Sequence, residues 1–159
     1  MSEPEAPLER EGDGFALRLS DGERDLVRGL CGQLRELLRE ADPVGDPTVA
    51  RLFPPAYPDD PLRNLDFERT AGGGLLAGRL AAVDVVETTV DAERLSETEA
   101  LAWLGSVNSL RLVLGTRLGL TEETTETDYP EGHAEREAYG MYLYLTWLEA
   151  GIVEALSVA

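Results

Sequence analysis

The chain has 159 residues and 17.3 kDa, with 31 acidic residues against 14 basic ones, a net charge of −17, one cysteine and one histidine. That length suits one domain whose core needs neither disulfide nor metal, and a single thiol excludes a bridge within the chain or a cysteine-built zinc site. The charge repels phosphate backbones and anionic membranes, so DNA is expected to bind only weakly or indirectly, and basic protein surfaces are the natural partners.

Residues 1–13 read as a flexible acidic N-terminus, and residues 14–159 as a single helical domain. Phe15, Leu17 and Leu19 alternate with Ala16, Arg18 and Ser20, the period of a half-buried strand. That strand pairs either with residues near Leu8 through a turn at Asp13 and Gly14, or with a second subunit. Ser20 and Glu23 have capping-box spacing and open a helix to about Glu40. Its core arc is Leu26, Val27, Leu30, Leu34, Leu37 and Leu38; Arg24, Arg28, Arg35 and Arg39 share another arc.

Asp46 and Pro47 open a short turn through Leu52, and four prolines between Pro54 and Pro61 impose a stiff connection tacked down by Phe53 and Tyr57. Asp60-Pro61 caps a further short helix to about Thr70, and Gly72 to Gly74 form a corner. A helix over Leu75 to Val90 follows. The second capping box, Ser96 with Glu99, opens a long helix that Gly119 ends. Thr121 to Gly132 is an acidic loop. The last helix, about Ala134 to Leu156, is apolar around most of its middle, which points to a homodimer through its apolar surface, with Tyr142 and Trp147 as contact candidates. The pattern is a mainly α, single-domain bundle of about five helices with a short N-terminal strand or hairpin.

On the long helix, the projection sets Arg111 among Leu104, Val107, Leu114 and Leu118, and a guanidinium in apolar surroundings requires a carboxylate. Glu87, within the apolar arc of the preceding helix, is the predicted partner. Few residues offer chemistry. His133 reads as a solvated loop histidine, the carboxylates lie on helix exteriors or in the loop, and no catalytic set, metal site or cofactor motif emerges. Cys31 is the redox candidate, because Arg28 and Arg35 lie one turn away on either side and favour a thiolate. The other reading of Cys31 is a small inert core residue beside Val27 and Leu34. The four-arginine stripe is either solvated and held by neighbouring acids or a contact surface for a partner. No stretch of about 18 apolar residues and no signal-like N-terminus is present, so the chain is expected in the cytoplasm.

Two segments, RLFPPAYPDDP at Arg51 to Pro61 and AWLGSVNSLRLVLGTRLGL at Ala102 to Leu120, resemble an actinobacterial family that includes the AosR-type oxidative-stress transcriptional regulators. The arginine-only basic composition agrees with a GC-rich source. The resemblance implies a small regulator of the oxidative-stress response, often encoded near the adaptor of the Clp protease and acting with the transcription machinery. A non-enzymatic adaptor in Clp-linked protein quality control is the alternative it suggests. With a charge of −17 and no helix-turn-helix signature, control is expected through a sigma factor or RNA polymerase in preference to operator binding.

Overall fold

A computed structural model describes residues 5–40 and 73–158. The chain begins with strands β1 (Leu8–Glu11) and β2 (Gly14–Leu17), followed by helix α1 (Asp21–Arg39). Helix α2 (Gly73–Thr89), strand β3 (Arg94–Leu95), helix α3 (Glu97–Leu118), a 3₁₀ turn at Glu126–Asp128 and helix α4 (Arg136–Ser157) complete it. The fold is mainly α, with four long helices among the described residues and a small antiparallel sheet in the order β1-β2-β3. The short helices expected near 46–52 and 61–70, and the proline-rich connection with Phe53 and Tyr57, lie outside the described residues.

β1 falls inside the segment assigned above to a flexible N-terminus. It realises the hairpin alternative, pairing Leu8 with Leu17 and Glu11 with Gly14. Leu8 is buried, so the hairpin is fixed by the core and not by its polar sequence. The turn sits one residue earlier than expected, at Gly12 and Asp13, and Gly12 takes the positive φ of 66° it needs. Gly14 serves a different end. A Cβ there would come within 2.9 Å of the Leu95 carbonyl, so its absence lets β3 pair closely with β2.

Both capping boxes form. The Glu23 amide donates to Ser20 Oγ at 3.2 Å while the Ser20 amide donates to Glu23 Oε1, and Ser96 with Glu99 repeats the exchange. Gly119 ends α3 with φ 67°, its amide donating to the carbonyls of Gly115 and Thr116. Gly73 and Gly74 lie within α2, where a corner is expected from sequence.

α3 is the central element, packed between α2 and α4 with α1 beyond α2 and the sheet at its N-terminal end. Trp103, fully buried, donates its indole N–H to Thr89 Oγ1 at 2.8 Å, and Thr89 in turn donates to the Val85 carbonyl. Neighbours on several sides explain why the buried set of α3 is Ala100, Trp103, Ser106, Val107, Ser109, Leu110 and Val113. The arc read from the wheel, centred on Arg111 with Leu104, Leu114 and Leu118, is the partly buried flank. Val83, Val86 and Val90 from α2 and Val27, Leu30, Leu34 and Leu38 from α1 join the same core as Leu145, Leu148 and Ile152 of α4. No helix among the described residues is long and apolar enough to cross a membrane.

Candidate functional site

The chemistry of α1 is set by what surrounds Cys31. Its side chain lies in the core with no exposed surface. Burial, reinforced by the negative charge of Glu87, pushes its thiol up to about 12, and Arg35 only partly opposes this. The expectation of a thiolate stabilised by flanking arginines is therefore corrected. Desolvation outweighs the cations, because both arginines turn their charge toward carboxylates. Arg28 binds Asp25 and Asp91 at 2.7 and 2.6 Å, and Arg35 binds Asp84 and Glu87 at 2.5 and 2.9 Å.

The arginine stripe divides in the same way. Arg24 acts as a clamp on carbonyl oxygens, donating to Leu17, Leu19, Val90 and Ala92 at 2.7 to 3.2 Å. It thereby ties the end of β2 and the start of α1 to the C-terminal end of α2, where a cation complements the helix dipole. Of the two readings of the stripe, Arg28 and Arg35 fit the one held by neighbouring acids, and Arg24 is held by backbone carbonyls. Arg39 alone of the four is exposed with no ion pair among the described residues.

The predicted Glu87 and Arg111 pair does not form. Arg111 Nη1 binds Glu149 Oε2 at 2.5 Å, with Nε on Thr146 Oγ1 at 3.1 Å and Nη2 on the Tyr142 hydroxyl at 3.3 Å. The guanidinium also lies over the Tyr142 ring, 5.3 Å from its centroid. Both charged side chains are about four-fifths buried, at 23% and 20% exposed. The requirement for a carboxylate is met, but by α4 instead of α2. Arg111 lies on the α4 side of α3, and Glu87 turns to α1. A sequence signal for this exists: Tyr142, Thr146 and Glu149 form a polar stripe at steps of four and three in an otherwise apolar helix. Tyr142 is therefore an internal partner of Arg111 and not an outward contact residue.

Trp147 does face outward, 38% exposed, with its ring 5.7 Å from that of Tyr144. The Tyr144 hydroxyl donates to Glu23 Oε2 at 2.8 Å, and burial together with that carboxylate raises its pKa. Trp147 borders an open hollow of about 620 Å³ shared with Glu5, Arg18, Leu19, Ser20 and Glu23. Just before the start of α4, His133 accepts the Glu135 amide on Nδ1 and packs edge-on against Tyr129, whose ring stacks on Tyr139 at 4.4 Å. His133 thus shapes the approach to α4. Among the described residues, no group of three or more His, Cys, Asp or Glu side chains is placed to hold a metal ion.

Comparison with known proteins agrees with the resemblance carried by the segments Arg51 to Pro61 and Ala102 to Leu120. The pattern of a family described as a domain of unknown function, DUF2017, matches residues 5–156, and the chain belongs to that family. It is 28% identical to the oxidative stress regulator AosR of Mycobacterium tuberculosis, over 92% of this chain and 84% of that protein. The same figures hold for AosR of Mycobacterium bovis. A putative oxidative stress regulator AosR from Mycobacterium leprae is 31% identical over 70% of this chain and 58% of its own length. No solved structure matches.

Proposed function

We propose that this member of the DUF2017 family is a non-enzymatic regulator of the oxidative-stress response that acts by binding proteins of the transcription machinery. The relatives named as oxidative stress regulators, similar over most of both chains, support the regulatory part. The observation that carries the mechanism is the burial of Cys31. A thiol with no exposed surface and a pKa near 12 is a poor target for peroxide, so the oxidant signal reaches this protein through a partner. A chain of net charge −17, with Arg24, Arg28 and Arg35 bound to groups of the same chain, favours a basic protein surface such as one on a sigma factor or RNA polymerase over a phosphate backbone.

Crosslinking in an extract of the native host before and after peroxide, followed by mass spectrometry, tests this reading. Recovery of polymerase or sigma-factor peptides is expected. Recovery of Clp components without them would replace the reading with the adaptor role. Submicromolar binding of the purified chain to a non-specific duplex at physiological salt would refute the protein-contact mechanism.

A further inference from the structure

The outward side of α4 repeats a seam. Arg136, Gly140, Leu143, Trp147, Ala150 and Glu154 follow one another at alternating steps of four and three residues, which keeps them in one narrow stripe along the helix. All six are exposed, while Leu145, Leu148, Ile152 and Ala155 on the opposite side fill the core. Leu143 and Trp147, each 38% exposed, place two large apolar side chains in adjacent turns at the centre of the stripe.

The stripe is symmetric about Leu145 in size and antisymmetric in charge. Leu143 mirrors Trp147, both large; Gly140 mirrors Ala150, both small; Arg136 mirrors Glu154, opposite in sign. A two-fold interface demands such an arrangement, since residue i must suit residue j in both directions. We propose that α4 is a dimer interface, on which a second copy of this chain lays its own α4 antiparallel across a two-fold axis that passes between Leu143 and Trp147, level with residue 145. Leu143 then meets the partner's Trp147, Gly140 meets the partner's Ala150, and Arg136 meets the partner's Glu154.

Charge decides between a second copy and other occupants, and between antiparallel and parallel docking. Neither Arg136 nor Glu154 forms an ion pair among the described residues, so both are available. Antiparallel pairing joins them twice, whereas parallel pairing sets arginine against arginine and glutamate against glutamate. Space agrees. Nothing lies within 4 Å of where a Cβ of Gly140 would stand, and Gly140 borders a hollow of about 430 Å³ lined by Thr127, Tyr129, Tyr139 and Leu143. The indole of the partner's Trp147 arrives there, and the small residues at either end let the helix axes approach. The opposing term is the −17 charge on each copy. A two-helix contact of modest area against that repulsion gives a dissociation constant on the order of micromolar, tightening as salt screens the field.

Sedimentation velocity from about 1 to about 200 µM brackets that constant. The wild-type mass is expected to rise from 17.3 kDa toward twice that value with concentration. Trp147→Glu, Arg136→Glu and Glu154→Arg should each weaken association at least about tenfold, and Arg136→Glu combined with Glu154→Arg should restore it to within about threefold. All three positions lie on the surface, and unchanged circular dichroism and melting temperature would show that the variants fold. A wild-type protein still at 17.3 kDa at the highest concentration would overturn the proposal. So would a dimer indifferent to Trp147→Glu, or a charge swap that fails to restore association in folded protein.

Discussion

The buried thiol gives the sharpest quantitative expectation. Raising the pKa of Cys31 from the ordinary 9.0 to about 12 lowers its thiolate share at neutral pH about a thousandfold, before any obstruction of reagent is counted. Since the side chain has no exposed surface, labelling must also await local opening, which multiplies the protection. Maleimide or peroxide reaction at pH 7, followed by mass spectrometry, should therefore run at least about a thousandfold slower in native protein than in guanidinium chloride. The same displacement fixes a pH dependence. The folded pKa lies above the unfolded one, so the stability carried by the protonated thiol is whole below about pH 9 and erodes as pH rises toward about 12. Urea unfolding above pH 9 should accordingly fall more steeply for wild type than for Cys31→Ala. A native labelling rate within about tenfold of the denatured rate would refute the reasoning, and with it the proposal that the oxidant signal arrives through a partner.

Three further outcomes follow from the packing. Arg111→Met and Glu149→Gln, alone and together in a double-mutant cycle, should show a coupling of about 2 kcal/mol, below the full buried-pair range because both groups keep some solvent. Arg111 with Glu87 should couple by less than about 0.5 kcal/mol in the same urea titrations. Arg24→Lys should destabilise by about 2 kcal/mol in chemical denaturation, since an ammonium cannot span the carbonyls of Leu17, Leu19, Val90 and Ala92 as a planar fork does. Two alanine substitutions in α4 should differ in sign by thermal melting. Gly140→Ala stabilises by up to about 1 kcal/mol because its Cβ meets open space. Gly151→Ala destabilises by about 1 kcal/mol because its Cβ would overlap the Pro7 ring.

Local signals were legible wherever the neighbours lie close in sequence. Ser20 with Glu23, Ser96 with Glu99 and the glycine at 119 set the starts of α1 and α3 and the end of α3, because capping groups act within one turn. The amphipathic α1 yielded its core arc for a related reason: one face contacts the fold and the other meets water. The wheel misled on α3, where apolar and small residues are buried on several sides and periodicity carries little direction. Hence the apolar surroundings of Arg111 in sequence call for a carboxylate, while its being Glu149 and not Glu87 depends on which helix lies on which side, a fact about packing. β3 escaped notice because two residues hold no period, and it exists through its pairing with Phe15 and Ala16.

The distribution of charge follows from these contacts and bears on the regulatory reading. Arg28, Arg35 and Arg111 are paired with carboxylates of the same chain and Arg24 donates to its carbonyls, whereas Glu122, Glu123, Glu126, Asp128 and Glu131 stand exposed in the segment before α4. The field at the surface is therefore more uniformly negative than an equal scatter of both signs would produce. A basic partner is steered by that field at distances comparable to the Debye length, about 10 Å at 0.1 M salt and about 3 Å at 1 M. Heteromeric capture should accordingly slow as salt rises, while self-association through α4 strengthens because the same screening relieves repulsion between like-charged copies. Opposite salt responses of the two equilibria would separate the acidic surface from the α4 stripe as independent binding elements on one small fold.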